Sequence, residues 1–319
     1  MNVDPILVSF CNVKSRTAPR LAVFDPLAET LSPLGLPESV PANMGTTGLI
    51  ADERHIYVAT QIARSAEKEH CRFLLSFYRR DFTLLSAYSF QQAIDIHSLC
   101  WYGDRLMAIS AGTDEIVELA ISAGQVRAET VYWRFDPEGT RHDHHHLSGI
   151  CAAPEGLIIC GFGKKRAGLW SSATDGFLFD LNRGSRIVSD LHQPHTVTWL
   201  SSSIVYCESR KMTVRRCHAT ESQSLPGYTR GVCQSGSYLF VGTSQPRKRS
   251  RSTGQFIENF AESGSPCDEI TISRLDPHTL TTLSSATFRS EGEVYDLLPI
   301  NDIGSWPLLA HGSEVTRCS

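Results

Sequence analysis

The chain has no apolar run near the roughly 18 residues that cross a bilayer, and its start, MNVDPILVSFCNV, carries no basic stretch ahead of a long apolar one. Neither a membrane-spanning nor a secreted protein is expected, and a cytoplasmic location follows. Ten cysteines are spread along 319 residues without a CxxC pair or zinc-finger spacing. Cys100, Cys151 and Cys233 stand in apolar, strand-like runs and read as reduced thiols packing as small hydrophobes. A net charge of −4 provides no field for nucleic acid or an anionic membrane surface. Catalytic signatures are missing too. There is no GxSxG elbow, which excludes an α/β-hydrolase, and no GxGxxG that opens a helix, which leaves nucleotide cofactors unsupported. GFGKKRAG, from Gly161 to Gly168, lacks the GxxxxGK[ST] spacing of a phosphate loop. No long stretch keeps a 3.6-residue apolar period, so helices should be few.

What is present is apolar material for a substantial core, 41% of residues, and a repeat. A small or polar residue, an apolar run, a turn and a second apolar run recur. The pattern reads TTGLIADERHIYVAT from Thr46, IHSLCWYGDRLMAIS from Ile96 and LSGICAAPEGLIICG from Leu147. It returns as TVTWLSSSIVYCES from Thr196, TRGVCQSGSYLFVGTS from Thr229 and, in weaker form, VYDLLPI from Val294. The anchor residues Gly48, Ser98, Gly149, Thr198, Gly231 and Asp296 are spaced by 50, 51, 49, 33 and 65. A short unit is thus followed by one with an insertion. Between copies lies a second motif, strand, Asp or Gly turn, strand, as in RLAVFDPLAETLSPL and GFLFDLNRGSRIVSDL.

Each repeat therefore reads as four short strands joined by tight turns. One twisted four-stranded sheet cannot bury both faces, whereas sheets packed radially can, and the ring leaves no long free edge. The expected fold is all-β, a single six-bladed β-propeller over residues 1–319. Its N- and C-terminal strands would share one blade, RLAVFD completing a sheet begun by VYDLLPI and WPLLAHGSEV. Seven blades are the alternative if ILVSFCNV forms its own unit. A two-sheet sandwich leaves the repeat unexplained.

These repeats resemble those of six-bladed propellers of the gluconolactonase, strictosidine synthase and NHL type. TRGVCQSGSYLFVGTS, with HLSGI and HTVTWL, is similar to an uncharacterised bacterial propeller family of unknown function. The resemblance implies the architecture over nearly the whole chain and carries no motif specific enough to transfer an activity.

In propellers of that type, the connection entering each innermost strand lines one mouth of the central channel. Three residues before the anchor stand Gly45, Asp95, His146, His195, Tyr228 and Glu293; one before it stand Thr47, His97, Ser148, Val197, Arg230 and Tyr295. The two positions share a face of a strand. His97, His146 and His195, separated by 49 and 49, come from successive repeats and are the candidate metal ligands. His144 in HDHHHLSGI has the parity of His146 and is an alternative or additional ligand. His55, His218, His278 and His311 fall in turns or outer strands.

Three imidazoles with a carboxylate suit zinc, iron, copper, manganese or nickel. Lactonase propellers of the resembled type hold calcium mainly through carboxylates and amides, so histidine at these places argues against that activity. The expected protein is a metal-dependent lyase, hydrolase or isomerase, with redox chemistry as a variant. Glu293 or Asp95 would be fourth ligand or base, and Tyr295, Tyr228 and Arg230 would orient a small polar substrate, Arg230 through a carboxylate or phosphate. The rival readings are a metal-free pocket with one histidine as general base, and a non-catalytic scaffold for a peptide or glycan. PRKRSRS, Pro246 to Ser252, reads as a solvated loop or as a docking site for an anionic partner.

Overall fold

Short β-branched and aromatic runs broken by Asp, Gly and Ser fold as antiparallel strands because each run covers one half-buried face and each break supplies turn chemistry. The computed structural model describes every residue except 1–2, 14, 16–17, 42–43, 64–71, 166–169, 201, 246–268, 302–305, 308–316 and 319. Among the described residues the only helices are two 3₁₀ turns, Trp170–Ser172 and Ser209–Lys211, and none is long and apolar enough to cross a membrane. The basic run 246–252 lies outside the described residues.

Four sheets have four strands each. They are β8 (Ile96–Tyr102), β9 (Arg105–Ser110), β10 (Glu115–Ser122) and β11 (Gln125–Arg134); β12 (Leu147–Ala153), β13 (Gly156–Gly161), β14 (Gly176–Asp180) and β15 (Ser185–Leu191); β16 (Pro194–Leu200), β17 (Ser203–Glu208), β18 (Thr213–Arg216) and β19 (Ser222–Ser224); and β20 (Tyr228–Ser235), β21 (Tyr238–Ser244), β22 (Glu269–Leu275) and β23 (Thr282–Arg289). In each the strands pair in chain order. The remaining sheet joins β4 (Gly45–Ala51), β5 (His55–Ala63), β6 (Arg72–Arg79) and β7 (Leu84–Ser89) to β1 (Ile6–Cys11), β2 (Leu21–Asp25) and β3 (Thr30–Leu34). The link between these two halves is a single pair, Cys11 with Gly45. On its other edge β1 pairs antiparallel with β24 (Glu293–Pro299) along the whole strand.

The outer hairpins share one device. Asp25, Asp180 and Asp276 each accept two backbone N–H bonds through Oδ1, from Leu27 and Ala28, Asn182 and Arg183, and His278 and Thr279. That Asx turn is the physical content of the repeated FDP, FDL and LDP strings. Apolar clusters fill the spaces between successive sheets: Tyr57, Phe77, Leu106 and Val117 in one, Ile116, Leu147, Ile159 and Phe177 in the next. Cys100, Cys151 and Cys233 sit in such clusters as free, buried thiols, on the packing side expected from their parity.

The strands β4, β8, β12, β16, β20 and β24 lie each beside the next, and β24 lies beside β4. Side chains tie these neighbours together. The Thr47 hydroxyl donates to Ile96 O at 2.8 Å, Ser148 to Pro194 O at 2.6 Å, and Gly231 N–H to Thr196 Oγ1 at 3.0 Å.

Two expectations at the termini change. The partner of β24 is ILVSFC rather than WPLLAHGSEV. Trp306 instead packs on Phe82 with ring centroids 4.7 Å apart and donates its indole N–H to Arg80 O, outside the paired strands; residues 308–316 of that string lie outside the described residues.

Candidate functional site

All six of these inner strands carry a register irregularity within two residues of the anchor. It falls between Thr46 and Leu49, Ile96 and Leu99, Leu147 and Gly149, His195 and Val197, Arg230 and Val232, and opposite Tyr295 on β24. A bulge re-aims side chains locally. Asp95 and His146, which enter two of these strands, and Thr196 at the bulge of β16 are also strained, with φ of 57°, 50° and 46°.

This arrangement brings Asp95, His97 and His146 together. One ligand atom from each lies within 4.8 Å of the others. The imidazoles of His97 and His146 meet edge to face, centroids 4.7 Å apart, and both are more than nine-tenths buried. Asp95 Oδ1 stands 3.5 Å from His97 Nε2, while His97 Nδ1 is buried with no hydrogen-bond partner among the described residues. Behind His146, the Asp143 carboxylate accepts from Nδ1 at 3.1 Å, which leaves Nε2 as the nitrogen with its lone pair outward. Such a carboxylate behind a histidine fixes its tautomer and orientation for a metal.

His195 is not part of this group. The bulged residues Ser148, Thr196 and Gly231 are equivalent, which sets His195 level with Arg230 and Leu147 rather than with His146. The residue of β16 equivalent to Gly149 is Val197 rather than Thr198, and a one-residue slip in a strand turns a side chain to the other face. Phe162 stands between the two rings, 4.5 Å from His146 and 4.9 Å from His195. His144 is exposed and does not join either; residues 142–146 precede the strand, so strand parity does not govern them. The adjacent His145 stacks on Phe135 at 4.1 Å and belongs to the packing.

Around His195 a second half of the site forms. Ser209 donates its only hydroxyl proton to Thr229 O at 2.6 Å, so it must accept from His195 Nδ1 at 3.0 Å. The tautomer follows: Nδ1 carries the proton and Nε2 the lone pair. Burial, then the positive Arg230, holds the imidazole well below its ordinary pKa, hence neutral. Arg230 lies between the faces of Tyr228 and Tyr295, at 4.8 and 5.3 Å. Its Nη1 donates to Glu293 Oε2 at 3.1 Å and to Cys11 Sγ at 3.4 Å, and Asn12 also donates to Glu293 at 3.2 Å. Glu293 is therefore the partner of Arg230, and the carboxylate near the histidines is Asp95. Tyr228 donates to Gln193 Oε1 at 2.9 Å. Tyr295 joins the halves, its ring 5.5 Å from His97 and 6.5 Å from His195.

Below Tyr295 lies Asp296, whose carboxylate accepts the N–H groups of Leu49 and Leu297, each at 2.9 Å. Burial pushes its pKa up to about 7. The sequence marked Asp143 only as one acid among histidines, and Ser209, Phe162, Cys11 and Asn12 carried no signal. A cavity of about 630 Å³ at the opposite ends of the strands is lined by Asp52, His55, Tyr57 and Trp101. Asp52 there is already satisfied by the N–H groups of Arg54 and His55 and by the Tyr57 hydroxyl.

Sheets of four antiparallel strands, arranged so that their inner edges present a histidine–carboxylate cluster, define the class: an all-β protein of the propeller type. The chain belongs to the family described as Domain of unknown function (DUF4915), whose model matches residues 40–305. Among solved structures it is similar to a protein of unknown function from Bacteroides caccae, at 11% identity and a TM-score of 0.59, covering 94% of this chain and 100% of that one. It is similar also to the periplasmic gluconolactonase of Pseudomonas aeruginosa, at 15% identity and a TM-score of 0.54, covering 94% and 99%. A chain of a nidogen/laminin complex aligns at 12% identity with a TM-score of 0.57, covering 92% and 97%. At such identities the likeness establishes the fold, in agreement with the resemblance read from the repeats. No curated protein matches the chain significantly.

Proposed function

We propose that the chain is a single domain of six blades and a cytoplasmic, metal-dependent enzyme acting on a small polar substrate. The blade count rests on treating the sheet joined by one Cys11–Gly45 pair as two blades; β24 with β1 to β3 then makes the blade that closes the ring.

One observation carries the enzymatic reading: Asp95, His97 and His146 converge within 4.8 Å, with Asp143 behind His146. Two imidazoles and a carboxylate suit a divalent transition metal such as zinc, iron, copper or manganese, and three protein ligands leave positions for water or substrate. A metal bound there would polarise a substrate oxygen or acidify water, as a lyase, hydrolase or isomerase requires. Asp143 keeps His146 in the ligating tautomer. Neutral His195 presents an acceptor across the pocket, Tyr295 stands between the halves, and Arg230 supplies positive charge without titrating.

Elemental analysis of purified protein tests this. Stoichiometric metal is expected, lost in His97→Ala and in His146→Ala with circular dichroism unchanged, and retained in His144→Ala and His195→Ala. Protein that takes up no transition metal on reconstitution would overturn the reading.

A further inference from the structure

His142 and His144 lie outside the cluster described above. Both are exposed, on the segment that ends at His146. Their rings stand with centroids 5.8 Å apart, tilted by 48°. A metal–nitrogen distance of about 2.1 Å puts the centre of a ligating imidazole about 3.2 Å from the ion, so two rings on one ion stand up to about 6.4 Å apart. The pair is within that reach. Because both side chains are exposed, an ion between them needs no cavity in the protein.

The segment that carries the pair is held at its backbone. Asp114, itself 5% exposed, accepts the N–H groups of His144 and His145 through Oδ2 at 2.8 and 2.7 Å, and His142 O accepts from His144 N–H at 3.0 Å. The neighbouring cation does not oppose a metal, since Arg141 is committed to Glu115 through Nε at 3.0 Å and Nη2 at 2.7 Å. Asp143, between the two histidines, turns its carboxylate to His146 Nδ1 at 3.1 Å. The same few residues thus hold two imidazoles at the surface and orient a ligand of the buried cluster.

His97 and His146 are 9% and 8% exposed, so an ion that reaches them from water sheds its hydration within the protein. Imidazoles at the surface, two residues or less from Asp143 and His146, raise the local concentration of that ion and replace some of its water first. Their nitrogens suit zinc, copper or nickel rather than calcium or magnesium. We infer that His142 and His144 form a second, outer metal site through which the cluster of Asp95, His97 and His146 is loaded. Two protein ligands hold an ion more weakly than three, so the outer site gives its ion up. The inference rests on the metal reading proposed above.

Chelator-treated protein tests this, with zinc counted by equilibrium dialysis at excess zinc and again after gel filtration. The parent is expected to hold two equivalents in dialysis and one after gel filtration. The double variant His142→Ala/His144→Ala should hold one in both. Supplied from zinc kept low by a buffering chelator, it should fill at least about tenfold more slowly than the parent yet reach the same final occupancy. His218→Ala/His278→Ala, which removes two other exposed imidazoles, should fill as the parent does. A single equivalent in dialysis that is lost in His97→Ala, or equal filling rates for the parent and the His142/His144 variant, would overturn this inference and leave the buried metal site intact. No zinc in either measurement would overturn both.

Discussion

Replacing Asp296 by Asn should invert its effect on stability between pH 4 and pH 8. The folded protein holds the Asp296 proton up to about pH 7, against 3.8 for an ordinary aspartate. Between those values the native state binds more protons than the unfolded chain, so unfolding free energy falls as pH rises through the window. The full difference corresponds to a ceiling of about 4 kcal/mol at pH 8, at about 1.4 kcal/mol per pH unit. Asp296 is half-buried, and water screening reduces this to about 2 kcal/mol. Asn lacks the ionisation but keeps one acceptor where the carboxylate has two, for the N–H groups of Leu49 and Leu297. That loss is about 1 kcal/mol at any pH. Asp296→Asn is therefore expected to be less stable than the parent by about 1 kcal/mol at pH 4, nearly equal to it at pH 5, where over a third of the window from 3.8 to about 7 has been crossed, and more stable by about 1 kcal/mol at pH 8. Urea unfolding of both proteins at half-unit intervals measures the difference, and other titrating groups cancel in it. A difference independent of pH would refute the placement of a neutral carboxyl at the inner strand.

Asp143→Asn should weaken metal affinity by about 10–100-fold in a competition with a chromophoric chelator, whereas His144→Ala should leave it unchanged. Glu208 is fully buried and receives Lys211 at 2.8 Å, Arg215 at 3.0 Å and His192 at 3.2 Å, so Glu208→Ala should cost about 2–4 kcal/mol in urea unfolding. Gly231→Ala places a Cβ 3.0 Å from the Asp296 backbone at a φ of 64°, and a loss of about 1–3 kcal/mol with a lower melting temperature is expected. Burial pushes the Cys100 and Cys160 thiols up to about 11 and 12, so neither should react with a disulfide reagent at pH 8 until the protein is unfolded, as mass mapping will show.

The repeat was legible because its signals are local: Asp25, Asp180 and Asp276 make the same turn, and alternating apolar residues fill the same spaces between sheets. The convergence of Asp95, His97 and His146 was legible for the same reason, since the entry to an inner strand recurs at near-constant spacing. What failed was parity. A bulge at every anchor breaks the rule that residues two apart share a face, and in the short fourth repeat it moved His195 from the histidine cluster to the side of Arg230. Glu293 went to Arg230 because the two strands that carry them, β20 and β24, are neighbours in space, which no local pattern reports. Ser209 and Phe162 sit just after β17 and β13, where a sequence shows only the end of a strand.

The pairing of β1 with β24 has a consequence for how the molecule is made. β1 is made well before β24 and meets its inner neighbour only when the ribosome has passed residue 299. Until then its hydrogen-bonding edge stays open while the intervening sheets emerge, so the final zipping step is slow, long-range and vulnerable to capture by another chain. Deletion of β24 would strike that step first.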